Sequence, residues 1–135
     1  MMRIFKFVFS AVAVFLGATF SSPSVSAHEN LHPLHGGRII EVQSQHFELT
    51  PTDGALDLYL SDHGDRPISA DGAEAKAALV LDGKKIETIL KPAGSNKLSG
   101  AVPGAPSSAV IAKSVVIVTV QMNGKTVMGK FGVGH

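Results

Sequence analysis

Four of the six histidines in this chain of 135 residues stand between positions 28 and 46: His28, His32, His35 and His46. The segment reads His28-Glu29-Asn30-Leu31-His32-Pro33-Leu34-His35-Gly36-Gly37, and the chain contains no cysteine. Without the thiolates that select Cu(I), a set of imidazoles suits a divalent transition metal, Cu(II) or Zn(II) first among them. If His28 begins the mature chain, its α-amine and Nδ1 close a chelate ring on one residue. His32, His35 and His46 then complete a nitrogen-rich metal site. His28, His32 and His35 have a spacing that one helix face would accept, but Pro33 and Gly36-Gly37 oppose a helix there. Residues 28–36 are therefore expected to form a flexible, His-rich leader. Each imidazole must be unprotonated to bind, so affinity is expected to fall in acid.

The remaining candidates are fewer. Read as a hairpin turning at Ser44-Gln45, Arg38 to Thr50 pairs Val42 with Phe47 and Ile40 with Leu49 on a buried face. Glu41 then opposes Glu48 on the other face beside His46. Two opposed carboxylates repel; a cation would relieve them, but so would splaying into water, which is the expected outcome for this pair alone. His63, in Asp62-His63-Gly64-Asp65, reads as a turn residue, and His135 as a solvated tail. Met122 and Met128 fall on opposite faces of a hairpin, which argues against a thioether site for Cu(I). There is no Gly-x-Ser-x-Gly, and no glycine-rich phosphate loop stands beside a helix, so no enzyme is expected.

The first 27 residues read as an export signal. Arg3 and Lys6 precede an apolar run from Phe7 to Phe20, shorter than an ordinary membrane span. Ser21 to Ala27 ends in Val25-Ser26-Ala27, which suits cleavage after Ala27. With no cysteine for lipidation, a soluble periplasmic protein with no later membrane insertion is expected. Removing 27 of 135 residues leaves 108, enough for one small domain. Without Arg3 and Lys6, the 12 basic residues become 10 against 11 acidic ones, a net of −1. That balance argues against nucleic acid as a partner. With no disulfide, the core alone must hold the fold.

From Gly37 onward, short β-branched runs alternate with turn signals, about eight strands in all. This predicts a single all-β domain over 37–135, an antiparallel β-sandwich of Ig-like or related type. The strongest signal is Asn123-Gly124 between two alternating runs, a two-residue hairpin. Its register pairs Met122 with Lys125, Val120 with Val127, Val118 with Gly129 and Val116 with Phe131, with these apolar residues on the core face. Asp82-Gly83 predicts a second hairpin, joining Ala75–Leu81 to Lys84–Leu90. Leu56, Leu58 and Leu60 mark Ala55–Leu60 as a half-buried strand. Asp62 to Pro67 reads as a turn, and Ala93 to Asn96 and Pro103 to Ser108 as loops.

Several of these elements carry a resemblance. His35-Gly36-Gly37, then Phe47-Glu48-Leu49, then Leu56 to Asp62 with Gly64 and Pro67, resemble a small β-domain tied to heavy-metal efflux. That domain stands at the N-terminal end of periplasmic adaptor (membrane fusion) subunits of heavy-metal RND pumps, and also occurs as short exported proteins. Leu90 to Leu98 and the segment from Gly124-Lys125 to Phe131 fit the same pattern. The resemblance implies periplasmic metal handling with an efflux adaptor or pump as partner, and carries over only His35 as a binding residue. The chain lacks the long helical hairpin and lipoyl-like region that a full adaptor uses to build its conduit. The function expected is thus divalent transition-metal binding in heavy-metal (copper/zinc-group) efflux or resistance. The rival from another class is a metal-free periplasmic interaction module that docks on an efflux or envelope complex. A copper monooxygenase with an N-terminal histidine brace is a weaker third reading, because one Tyr and no Trp offer little aromatic surface for a substrate.

Overall fold

A computed structural model describes residues 31–133; the proposed signal segment, His28 and His135 lie outside that range. Eight strands and one short helix follow in order: β1 (Arg38–Val42), β2 (Gln45–Thr52), β3 (Ala55–Asp62), β4 (Glu74–Leu81), β5 (Lys84–Pro92), β6 (Lys97–Ala101), α1 (Ser108–Ala112), β7 (Val116–Met122) and β8 (Lys125–Phe131). Alternation explains the strands. Leu56, Leu58 and Leu60 of β3 are fully buried while Asp57, Tyr59 and Ser61 point the other way. In β7 and β8, Val116, Val118, Val120, Val127 and Phe131 enter the core together. The predicted register of that hairpin is the observed one, from Met122 opposite Lys125 to Val116 opposite Phe131. Met122 is buried and Met128 exposed, on opposite faces as expected.

The tight turns are made by residue pairs at positive φ: Gln43-Ser44, Asp82-Gly83 and Asn123-Gly124. This is the backbone that a right-twisted two-residue hairpin requires. The first of these corrects the sequence reading, which placed the turn at Ser44-Gln45. Val42 pairs with Gln45, Ile40 with Phe47 and Glu41 with His46. The shift preserves which residues face inward, so alternation alone cannot detect it. It also sets an imidazole opposite Glu41 and Ile39 opposite Glu48, so the two carboxylates no longer oppose each other.

All eight strands belong to one antiparallel sheet in the order β1-β2-β3-β6-β5-β4-β7-β8. The expected all-β antiparallel domain is thus present; the strands that a sandwich would divide between two sheets are here linked in one. β5 makes the link. Most of it pairs with β4, and its end reaches β6 through Lys91 opposite Ser99 and Pro92 opposite Leu98. The sheet curls until β1 lies beside β8, a nearly barrel-shaped arrangement. Gly129 marks the close approach, since a side chain there would come within 2.6 Å of Ile40 Cδ1 and 3.3 Å of Val42 Cγ2. The short helix α1 follows the loop expected over Pro103–Ser108 and overlaps it only at Ser108. It is a single turn capped by Ser107, and its Ile111 is fully buried in the core.

Arg38 holds the closing edges together. Its guanidinium donates to the carbonyls of Ser114 (2.7 Å), Ile111 (3.2 Å) and Gly132, tying the start of β1 to segments more than seventy residues away in sequence. Burial pushes the guanidinium below its ordinary value, and the three carbonyls answer its charge. Arg38→Met keeps the aliphatic stem and removes these donors. It is expected to cost about 1–3 kcal/mol of stability in urea denaturation. A change of only a few tenths would show that the edges are held by packing alone.

Candidate metal centre

The faces of β2 decide where chemistry can occur. Phe47 and Leu49 point into the core, so His46 and Glu48 point to the outer face of the sheet. Yet His46 and Glu48 are each only 4% exposed. The turn after β3 closes over His46, and the end of the leader closes over Glu48. Burial of polar groups at these two positions demands partners, and the partners define two adjoining structures.

The first is a group of two imidazoles and a carboxylate. Register places Glu41 of β1 opposite His46 of β2, and His46 opposite Ser61 of β3. Two residues beyond Ser61, on the same outward parity, comes His63. Nδ1 of His63 lies 2.5 Å from Oε1 of Glu41, and Nε2 of His46 lies 3.7 Å from the same oxygen. The ligating atoms of Glu41, His46 and His63 all lie within 4.8 Å of one another. Metal–nitrogen and metal–oxygen bonds near 2.0–2.2 Å bring such atoms together with small rotamer changes. The other ring nitrogen of His46, Nδ1, lies 2.9 Å from Oδ1 of Asp65. A carboxylate that accepts from Nδ1 keeps the Nε2 lone pair free and aimed at the cluster, the usual means by which a ligating imidazole is oriented.

The turn that carries His63 and Asp65 is itself pinned. Oδ1 of Asp62 accepts from the amides of Gly64 (2.8 Å) and Arg66 (2.9 Å). The amide of Asp62 donates to the Arg66 carbonyl at 2.8 Å, and Asp65 takes a positive φ. The Arg66 amide, with that of Gly64, holds the Asp62 carboxyl below the usual carboxylate range. His63 remains open to solvent at 76% exposure, whereas the ring of His46 is 5% exposed. The cluster therefore has one buried and one accessible imidazole.

The second structure is a clasp on the leader. The Glu48 carboxylate accepts from the amides of Leu34 (2.9 Å), His35 (2.8 Å) and Gly37 (2.9 Å), and from Nδ1 of His35 (3.0 Å). The His35 ring stacks on Tyr59, centroids 3.6 Å apart and planes 7° from parallel. Gly36 takes a positive φ of 74°, and a side chain on Gly37 would strike the Leu49 carbonyl at 2.3 Å. These contacts bring the His of His35-Gly36-Gly37, the Glu of Phe47-Glu48-Leu49 and Tyr59 of β3 to one place. The leader, expected to be flexible, is fastened at this end.

Of the four histidines expected to bind metal, His28 lies outside the described residues. His32 is exposed, His35 is engaged by Glu48 and Tyr59, and His46 alone joins the cluster. The sequence pairs Glu41 with Glu48 beside His46 and favours their splaying into water, and it reads His63 as a turn residue; the cluster instead joins Glu41 and His46 to His63. Asp53-Gly54 held the missing signal. A two-residue turn there sets Thr52 opposite Ala55, hence His46 opposite Ser61, and brings His63 to the same end. Among the described residues no helix is long and apolar enough to cross a membrane. Comparison with protein-family models, curated proteins and solved structures gives no match to this chain.

Burial acts to raise the Glu48 carboxyl, but the Gly37 amide, the His35 ring and amide, and the Leu34 amide outweigh it and hold the group below its usual value of 4.5. A depressed carboxyl stabilises the fold while ionised. Its contribution is complete above about pH 4.5 and is lost as pH falls through the folded-state value. Glu48→Gln is expected to lower stability at neutral pH by about 1–3 kcal/mol. It should also flatten the loss of stability below about pH 4.5 seen in the parent. Denaturation midpoints across that range test both, and an unchanged acid limb would contradict the assignment.

Proposed function

We infer that this protein binds a divalent transition metal of the copper/zinc group through Glu41, His46 and His63, as an exported periplasmic binding protein serving heavy-metal efflux or resistance. The observation that carries the reading is the convergence of two imidazoles and one carboxylate within 4.8 Å, with Asp65 on the far nitrogen of His46. An imidazole that is buried, held at one ring nitrogen by Asp65 and directed with the other at Glu41 is arranged as a ligand. Glu41 and Asp65 also bring negative charge beside the two imidazoles, which favours a cation. Nitrogen and oxygen donors without sulfur suit Zn(II) or Cu(II) over Cu(I). Export rests on the apolar run and small-residue cleavage pattern before His28, and the efflux link on the resemblance of the His-Gly-Gly, Phe-Glu-Leu and Leu-Asp-Leu-Tyr-Leu segments. We read the role as binding and delivery, with an efflux adaptor or pump as recipient, and not as catalysis.

Competition titrations with Zn(II) and Cu(II) test the site. Glu41→Gln and His63→Ala alter accessible groups and leave the core untouched, and each is expected to weaken binding by about tenfold or more. Asp65→Ala should weaken it by roughly 10–100-fold through the orientation of His46. His32→Ala should leave affinity unchanged. If His63→Ala binds as the parent does while His32→Ala or an added residue before His28 abolishes binding, the leader holds the metal instead. If no variant and no parent protein binds either metal, the interaction-module reading replaces this one.

A further inference from the structure

The cluster offers three protein donors, whereas a divalent ion of this group takes four or more. The two carboxylates nearest by sequence to His63 are committed elsewhere. Asp65 faces Nδ1 of His46, on the side away from Glu41, and Oδ1 of Asp62 is held by the amides of Gly64 and Arg66. Among the described residues no fourth histidine or carboxylate joins the group. The exposure of the ligands is graded. The side chain of His46 is 5% exposed, that of Glu41 19% and that of His63 76%, so the site opens towards solvent on the His63 side. A three-donor set with an open position is the arrangement of zinc sites that accept an outside ligand, whereas structural sites close all four positions.

We propose that the metal held by Glu41, His46 and His63 keeps a solvent-facing position that receives an imidazole or carboxylate from the acceptor protein, so that metal leaves by ligand exchange. The inference rests on the metal reading above. The acceptor's donor atom would replace the water held at the open position, one bond to the metal forming as the bond to water breaks, while all three protein bonds persist. The bond to His63 then breaks first, because its ring stands in water and has space to swing away, whereas His46 is enclosed and tied to Asp65. No electron changes place, and the ion keeps its charge. A neutral acceptor imidazole brings no proton, and the released His63 ring can take one from solvent. The metal is never free during transfer, which an exposed ligand and an enclosed one together permit.

Co(II) stands in for Zn(II) in sites of nitrogen and oxygen donors, and its visible bands report the number of ligands. The full-length chain loaded with Co(II) is titrated with imidazole and, separately, with acetate, while ultrafiltration follows the bound metal. The expected result is a saturable change in the bands for one added ligand with Co(II) retained. His63→Ala should hold Co(II) about tenfold or more weakly, and added imidazole should restore part of the loss by filling the vacated place. Bands that do not move while Co(II) stays bound would mean a filled coordination shell. That outcome overturns the open position and leaves the metal site standing. Failure to bind Co(II) or Zn(II) at all overturns both.

Discussion

A carboxylate withdrawn from water must have its charge answered, or it will not stay ionised in the fold. Glu48 meets that condition with three backbone amides and one imidazole. Much follows from this one group. The amides come from Leu34, His35 and Gly37, so the chain before β1 must cross the outer face of the sheet to deliver them. The imidazole of His35 reaches Glu48 while lying flat on Tyr59 of β3. The passage is narrow enough that Gly37 has no room for a side chain. The outer face of β1–β3, which alternation alone would leave to solvent, is thereby covered beside His46.

Four carboxylates stand within this small region, and environment separates their roles. Glu48 is buried and structural. Asp62 is exposed and shapes a turn by accepting two amides. Asp65 orients His46, and Glu41 faces both imidazoles of the cluster. Residue type does not distinguish these roles. What distinguishes them is which donors the backbone brings within about 3 Å of each oxygen. The histidines divide in the same way: His35 locks the leader, His46 is an enclosed, oriented ring, and His63 is free to meet solvent.

The closure of the sheet bears on the cluster as well. Glu41 sits on β1, an end strand of the sheet, and a short end strand of five residues is the element most easily frayed. Arg38 bonds its first residue to Ser114, Ile111 and Gly132, and Gly129 lets Ile40 and Val42 settle against β8. The position of Glu41 therefore depends on contacts made with the opposite end of the chain. Packing of the barrel edge and geometry of the cluster are parts of one constraint.

Sequence by itself determined the strand content, the inward residues and the register of the Asn123-Gly124 hairpin, because period-two alternation and the φ requirements of a two-residue turn are local. Tertiary structure decided the rest. Alternation is unchanged by a shift of two residues, so it leaves open the β1–β2 register, and with it the partner of Glu41, which the turn at Gln43-Ser44 fixes. The link between the strands of an expected sandwich came from two residue pairs at the end of β5, which no periodicity marks. The leader histidines His28, His32 and His35 are close in sequence. Of the described histidines, however, those that converge are His46 and His63, on β2 and on the turn after β3, seventeen positions apart. They meet because antiparallel pairing folds the chain back at Asp53-Gly54, and a pinned turn after β3 then brings Asp65 against His46 of β2 and His63 against Glu41 of β1.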